Sequence, residues 1–121
     1  MSQLKVYQYS KCSTCRNAVK WLQSKEHETE LVPIFEQPPS PEELADLISK
    51  SGLELKKFFN TSGEAYKDLK LKDKLADMSR EEQISLLSSN GRLIKRPIVT
   101  DGNKVTVGFK EETFEEAWGA Q

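Results

Sequence analysis

Cys12 and Cys15 are the only cysteines in this 121-residue chain, and they are spaced Cys-x-x-Cys. Alternating apolar residues precede them and an apolar run with helical spacing follows, so the pair is predicted to lie where a strand feeds a helix. A helix N-terminus carries unpaired N–H groups and about half a positive charge, and both favour the thiolate, the nucleophilic form of cysteine. Lys11 and Arg16 add positive charge beside the pair.

The two cysteines are predicted to differ in exposure. Cys15 begins a series with the i, i+3, i+4, i+7 spacing of a buried helix face, whereas Cys12 precedes the helix. The other members of the series are Ala18, Val19 and Leu22. Cys12 is therefore predicted to attack from the mouth of a site, and Cys15 to resolve the intermediate from a shielded position. Because cysteines three positions apart on a helix can bridge, the pair can cycle between dithiol and disulfide.

Composition restricts the function classes. Charged residues make up 31% of the chain and the net charge is −1, which gives no global electrostatic reason to expect nucleic-acid binding. No apolar run reaches the length of a membrane span and the N-terminus lacks the apolar core of a signal peptide, so we expect a cytoplasmic protein without a membrane partner. In that reducing compartment, Cys-x-x-Cys indicates redox chemistry or a metal more than a structural disulfide.

A metal site is not predicted. A structural zinc needs about four ligands, and the chain offers two cysteines and one histidine. The histidine, His27, lies in a polar stretch and is expected to be a solvated loop residue.

The first forty residues are predicted to form a βαβ unit. Strands over residues 3–9 and 30–35 flank a helix over 13–25, and this spacing predicts parallel strands joined by a right-handed connection. Pro33 removes a backbone donor from the second strand, which indicates an edge position for that strand.

The rest of the chain is predicted to be a helical segment followed by a β-hairpin. Two capping-box patterns, Ser40-Pro41-Glu42-Glu43 and Ser79-Arg80-Glu81-Glu82, begin helices, and Gly52 ends the first of them. A short helix is also predicted over 55–59. Two β-rich runs, 92–100 and 104–109, join through Asp-Gly as an antiparallel hairpin, and an acidic helix over 111–118 follows.

This order of strands and helices predicts an α/β, thioredoxin-like fold with a mixed four-stranded sheet and an inserted helical subdomain. One domain would span residues 1–121, with a core of 1–40 and 92–121 and an insertion of 41–91. By similarity to such folds, Pro97 is the candidate for a cis proline that turns the backbone at Arg96 toward Cys12.

Four stretches of the chain resemble the arsenate reductase / Spx family, in the family's order. They are residues 9–17, 37–44, 57–63 and 94–98. Together they span nearly the whole chain, which is far more specific than Cys-x-x-Cys alone. The similarity is closest to the YusI-like, arsenate-reductase-like branch of Gram-positive bacteria, and it implies a thioredoxin-like core with an inserted helical subdomain.

In the glutaredoxin-coupled arsenate reductases of this family, one cysteine attacks arsenate and three arginines hold the oxyanion. The resemblance implies that Cys12 is the nucleophile and that Arg96, in its Arg-Pro pair, is one of the arginines. Asn60 stands at the position of the second arginine, and Val107-Gly108-Phe109 lies near the third. Because two of the three arginines are absent, the pattern argues against efficient arsenate reduction.

The implied site has a catalytic set and a substrate-binding set. The catalytic set is Cys12, Cys15 and Arg96, and the substrate-binding set is Lys11, Arg16, Asn17, Asn60 and Pro97. Lys57 or Lys104 could supply point charges in place of the missing arginines, without bidentate contacts. The substrate would be a small oxyanion or a disulfide. No cofactor is expected, and electrons would come from a low-molecular-weight thiol or from a thioredoxin- or glutaredoxin-type partner protein.

The Cys-x-x-Cys pair is also compatible with a second function. Cys15 is also present in the Spx-like transcription regulators, where the Cys-x-x-Cys pair is a redox switch on a protein that binds RNA polymerase. A redox-sensing regulator that binds the RNA polymerase α subunit, without direct nucleic-acid contact, is therefore the alternative function. A thioredoxin-like domain whose cysteines are unreactive is a third interpretation.

Overall fold

A mixed β-sheet organises the computed structural model, which describes residues 3–61 and 63–119. Its strands are β1 (Gln3–Gln8), β2 (Glu28–Pro33), β3 (Ile98–Thr100) and β4 (Val105–Val107). They pair in the order β2-β1-β3-β4, parallel between β1 and β2 and antiparallel elsewhere. The predicted mixed four-stranded sheet is confirmed, and β2 lies at an edge as Pro33 indicated.

Six α-helices accompany the strands in the described part of the chain. They are α1 (Ser13–Ser24), α2 (Pro41–Ser51), α3 (Glu64–Asp68), α4 (Leu71–Lys74), α5 (Arg80–Ser89) and α6 (Glu111–Phe114). Three 3-10 turns (Leu55–Phe58, Leu75–Asp77 and Gly91–Leu93) lie among them, and a π-helical turn, Glu115–Gly119, continues α6. No helix within 3–61 or 63–119 combines the length and apolar character needed to cross a membrane.

The sheet separates two buried apolar clusters. Because side chains alternate along a strand, Leu4 and Val6 of β1 face one side and Tyr7 faces the other. The cluster on the first side includes Ala18 and Leu22 of α1 and Phe114 and Trp118 near the C-terminus. The larger cluster on the second side joins the sheet to α2, α5 and the 3-10 turn Leu55–Phe58.

The two predicted capping boxes are present. The Glu43 N–H donates to Ser40 Oγ at 3.2 Å, and the Glu82 N–H donates to Ser79 Oγ at 3.1 Å. Each glutamate side chain returns a contact to the backbone N–H of its serine. Gly52 ends α2 as predicted. Local sequence therefore determines where α2 and α5 begin and where α2 ends.

Three elements differ from prediction. Residues 55–59 form a 3-10 turn over Leu55–Phe58 rather than a longer helix. In the β-rich run 92–100, only Ile98–Thr100 pairs with β1, because Ile94 instead forms an isolated antiparallel bridge with Phe59. The acidic terminal helix is α-helical only over Glu111–Phe114 and continues as a π-helical turn over Glu115–Gly119.

The expectation of a solvated His27 is wrong. Its side chain is buried, and Nε2 lies 2.7 Å from the carbonyl oxygen of Trp118. The contact joins residues far apart in sequence, because the C-terminal segment folds back beside the start of β2. Local composition carries no information on such a contact.

Candidate functional site

Cys12 is the N-cap residue of α1 and stands at the mouth of a cavity. A tight turn holds its backbone, since the Cys12 N–H donates to the Tyr9 carbonyl and the Arg16 N–H donates to the Cys12 carbonyl, both at 3.0 Å. The Cys12 side chain is half-buried, whereas Cys15, one helical turn further on, is completely buried. Both cysteines are free thiols in this structure.

The pKa of the Cys12 thiol lies below its ordinary value. Partial burial acts to raise the pKa, but favourable interactions with the thiolate outweigh it. The backbone N–H and the thiol of Cys15 interact with the Cys12 sulfur, the positive charge of Arg96 attracts it, and the Thr14 N–H adds to this. The N-terminus of α1 and one arginine therefore favour the nucleophilic thiolate.

Burial raises the pKa of the Cys15 thiol. Interaction with the Cys12 sulfur raises it further, while the Tyr9 backbone and Arg96 oppose the shift only in part. When one of the two sulfurs is ionised, the proton therefore stays on Cys15 and the negative charge lies on Cys12. This division gives a half-buried nucleophile at the cavity and a protonated, fully buried second thiol.

Arg96 lies beside an aromatic pair. Its guanidinium carbon is 4.9 Å from the ring centroid of Phe35 and 5.7 Å from that of Tyr9, and these two rings stack with centroids 4.3 Å apart. The Arg96–Pro97 peptide bond is cis, as predicted. Pro97 itself is buried. Arg96 is thereby held by cation–π contacts at the edge of the cavity that contains Cys12.

The cavity beside Cys12 has a volume of about 590 Å³. Four different segments of the chain contribute to its wall. The lining residues are Cys12, Thr14, Leu53, Lys57, Asn60, Lys95, Arg96, Val107, Gly108, Phe109, Lys110 and Thr113. Cys12, Arg96 and Asn60 of the predicted site are thus brought together, although they are separated widely in sequence.

The cavity wall carries four cationic side chains, those of Lys57, Lys95, Arg96 and Lys110. No carboxylate lies among the described residues of this wall. Lys57 is therefore placed where it can supply a point charge in place of a missing arginine. Lys104, the other lysine predicted for that role, lies elsewhere, since its Nζ donates to the Ala117 carbonyl at 2.6 Å.

Sequence reasoning missed Lys95 and Lys110. A backbone bridge places Lys95, because its N–H donates to the Phe58 carbonyl at 2.8 Å and the Asn60 N–H donates to the Leu93 carbonyl at 2.7 Å. This pairing brings residues 58–60 beside residues 93–95 and turns Asn60 and Lys95 to the same cavity. The Lys95-Arg96 pair before Pro97 was the available signal, but only Arg96 carried a family match.

Gly108 occupies the region near the third family arginine. Its N–H donates to the Pro97 carbonyl at 2.8 Å and its φ is 80°. A Cβ at this position would lie 3.1 Å from Cε of Lys95. The side chain of Lys95 therefore passes over Gly108. Its ammonium group lies on the cavity wall, near the position where the family's arsenate reductases have their third arginine.

The other predicted substrate-binding residues, Lys11, Arg16, Asn17 and Pro97, do not line this cavity. Lys11 and Arg16 are exposed beside Cys12 on the turn before α1 and on its first turn. Asn17 lines a neighbouring hollow of about 360 Å³ together with Lys20, Trp21, Phe109 and Glu111. Phe109 lines both spaces. Within the described residues, no three His, Cys, Asp or Glu side chains cluster as metal ligands do.

The sequence model of the ArsC family matches residues 7–117. The chain belongs to the ArsC family. The match includes the end of β1, Cys12, the helices between β2 and β3, and the Arg96–Pro97 pair, so the residues that line the cavity all lie within it.

Relatives support the same assignment. The chain is 61% identical to the Bacillus subtilis protein YusI over 115 residues, which cover 95% of this chain and 98% of YusI. The crystal structure of an ArsC-family-related protein from Bacteroides fragilis superposes with a TM-score of 0.89 at 50% identity, covering 93% and 95% of the two chains. The predicted thioredoxin-like ArsC fold is thus confirmed.

More distant ArsC-family relatives carry two kinds of name. The chain is 31% identical to the arsenate reductase of Acidiphilium multivorum, with 82% of this chain and 69% of that protein covered. It is 29% identical to the regulatory protein MgsR of Bacillus subtilis, with 88% and 83% covered. The family therefore includes both reductases and regulators.

Proposed function

We propose that this ArsC-family protein is a thiol-dependent oxidoreductase of arsenate-reductase type, with Cys12 as nucleophile and Cys15 as resolving thiol. The supporting observation is that the pKa values of two neighbouring thiols are shifted in opposite directions. The pKa of Cys12 at the cavity mouth is lowered, and that of buried Cys15 is raised. A nucleophile that is ionised beside a protonated second thiol is the arrangement that thiol exchange requires.

The reaction with a disulfide proceeds in two exchanges. The Cys12 thiolate attacks one sulfur of the substrate disulfide, a mixed disulfide forms, and the other half leaves as a thiolate. Cys15 then loses its proton and attacks the Cys12 sulfur, which forms the Cys12–Cys15 disulfide and releases the second half as a thiolate. The substrate gains two electrons and the protein loses two.

Recovery of the dithiol requires two electrons and two protons from outside the chain. We propose a low-molecular-weight thiol, or a thioredoxin- or glutaredoxin-type protein, as their cytoplasmic source. With an oxyanion substrate, Arg96 would be the single guanidinium among the described residues of the cavity wall, beside the ammonium groups of three lysines. This composition supports disulfide reduction over efficient arsenate reduction, because ammonium groups lack the bidentate geometry of a guanidinium.

The test is turnover with arsenate and with small disulfides, each coupled to a thiol reductant. The wild type is expected to turn over at least one substrate, and Cys12→Ser is expected to have no activity. When Cys15→Ser reacts with a disulfide in the absence of reductant, it is expected to stop at the Cys12 mixed disulfide. The trapped adduct would be identified by mass spectrometry of the intact protein. Absence of Cys12-dependent turnover with every substrate and reductant would refute the proposal.

The likeness to the regulatory protein MgsR supports a second candidate, a redox-sensing regulator in which the Cys12–Cys15 disulfide changes partner affinity. The α subunit of RNA polymerase is the proposed partner. Substitution of two family arginines by Asn60 and the Gly108 region supports this candidate, since a regulator has no need for an oxyanion site. A pull-down with the C-terminal domain of the polymerase α chain, using reduced and oxidised protein, tests it, and no binding in either state would remove it.

A further inference from the structure

We propose that the cavity beside Cys12 selects disulfides whose thiol parts carry several carboxylates, in preference to neutral or cationic disulfides and to tetrahedral oxyanions. The inference rests on the proposed thiol-disulfide chemistry of Cys12 and names the substrate class of that site.

Charge is the first argument. Lys57, Lys95 and Lys110 join Arg96 on the wall, and no carboxylate of the described chain lines it to offset them. The cations come from separate segments, namely the 3-10 turn Leu55–Phe58, the loop before β3, and the residue that precedes α6. Because the positive charge is spread over these segments, a ligand that meets all of it must carry negative charge at several points.

The cavity is much larger than a tetrahedral oxyanion requires, which is the second argument. Ligand cavities of about 300–1,000 Å³ hold molecules of drug size, and this one has a volume of about 590 Å³. A tetrahedral oxyanion would fill only a small part of that volume. A tripeptide-sized thiol, joined to Cys12 through its sulfur, would fill far more of it.

The chemistry of the wall is the third argument. Three apolar side chains, those of Leu53, Val107 and Phe109, stand among the cations. Leu53 is 41% exposed, although leucine side chains are usually buried. These side chains can pack against the carbon skeleton of an organic ligand, whereas an inorganic oxyanion offers them no apolar surface.

The type of cation on the wall also favours disulfides that carry several carboxylates. An ammonium group is a compact point charge that pairs with single carboxylates, whereas bidentate binding of one oxyanion needs the planar guanidinium fork. Three of the four cations are lysines, and Asn60 adds a neutral amide side chain at the wall. The wall therefore suits carboxylates at separate positions better than one compact anion.

The proposed first step conserves atoms and electrons. The Cys12 thiolate attacks one sulfur of the carboxylate-bearing disulfide, the S–S bond breaks, and one carboxylated thiolate leaves. The other stays in the cavity as a mixed disulfide with Cys12 until Cys15 displaces it. The cations stabilise the bound thiol and the leaving thiolate alike, because both are anionic.

The experiment compares oxidised glutathione (anionic), bis(2-hydroxyethyl) disulfide (neutral), cystamine (cationic) and sodium arsenate as oxidants of the reduced protein. Single-turnover loss of the two thiols is followed by acid quenching, alkylation and mass spectrometry. Each disulfide rate is divided by the rate of the same disulfide with free cysteine, which removes intrinsic reactivity. We expect a normalised rate for oxidised glutathione at least about tenfold above that for cystamine, decreasing as salt rises.

A matched set of variants assigns the preference to the cavity. Lys57→Gln combined with Lys110→Gln is expected to lower the normalised rate for the anionic disulfide much more than the rate for the neutral disulfide, and so to remove most of the preference. Lys56→Gln is the control, because Lys56 is an exposed neighbour of Lys57 on the same 3-10 turn. Far-UV circular dichroism checks that all variants are folded.

The outcomes separate the two proposals. Equal normalised rates for all disulfides, a preference that survives the double substitution, or faster oxidation by arsenate would overturn the substrate class while Cys12-dependent chemistry stands. No Cys12-dependent reaction with any oxidant would overturn the oxidoreductase proposal and this inference together.

Discussion

The guanidinium of Arg96 lies over the ring of Phe35, with Cζ 4.9 Å from the ring centroid. The same ring stacks on Tyr9 and also receives Arg92, whose Cζ is 5.0 Å from the centroid. Arg96 is one of the groups that lower the pKa of Cys12. An aromatic residue outside the Cys-x-x-Cys motif therefore positions a charge that acts on the nucleophile.

Phe35→Leu is expected to raise the pKa of Cys12. Loss of the ring removes a cation–π contact worth about 0.5–2 kcal/mol, so Arg96 would spend less time near the sulfur. The measurement is pH-dependent alkylation of Cys12 in a Cys15→Ser background. Phe35→Tyr, which keeps a ring, is the control, and an unchanged pKa in Phe35→Leu would show that Phe35 does not position Arg96.

The rate of Cys12 alkylation is expected to rise with pH through a pKa that lies below the ordinary value of a cysteine thiol. The sign follows from the thiolate, since raising the pH through a lowered pKa produces the reactive form earlier than in free cysteine. Arg96→Gln removes a positive charge that favours the thiolate, so its profile should move to higher pH. Coincident profiles for wild type and Arg96→Gln would contradict the assignment of Arg96 to this shift.

Gly108→Ala is expected to destabilise the fold and to displace Lys95. At φ 80° a side chain costs about 1–2 kcal/mol, and the new Cβ would lie 3.1 Å from Lys95 Cε. The free energy of unfolding is measured by denaturant titration. Gly102→Ala is the control for backbone strain alone, because its φ is also positive and nothing lies within 4 Å of its Cβ position. Equal losses in the two variants would show that Lys95 moves at no cost.

Ser40→Ala and Ser79→Ala are each expected to lower the free energy of unfolding by about 1 kcal/mol. Each substitution removes the acceptor for the third helical N–H and so breaks one capping box. Thermal or denaturant unfolding measures the loss. Ser40→Asp and Ser79→Asp retain an acceptor and should restore most of the stability, and no loss in the alanine variants would mean that packing alone fixes the helix starts.

Much of the fold could be predicted because its signals are local. The βαβ unit, both capping boxes, the edge position of β2 and the hairpin through residues 101–102 follow from periodicity, proline and turn residues that lie close together in the chain. The cis bond before Pro97 was expected from similarity to thioredoxin-like folds. Two of the departures from prediction, the pairing of Ile94 with Phe59 and the burial of His27, are set by contacts between residues distant in sequence.

The sequence by itself determined the pair of thiols, their order at the start of a helix and the family to which the chain belongs. Those features depend on residues within a few positions of one another, or on motifs in a fixed order. Tertiary structure alone decided that Lys95 and Lys110 join Lys57 and Arg96 around Cys12, while Lys104 binds the C-terminal segment. The physical reason is that a cavity wall forms only when separate segments pack, so the charge that a substrate meets depends on long-range contacts that no local pattern encodes.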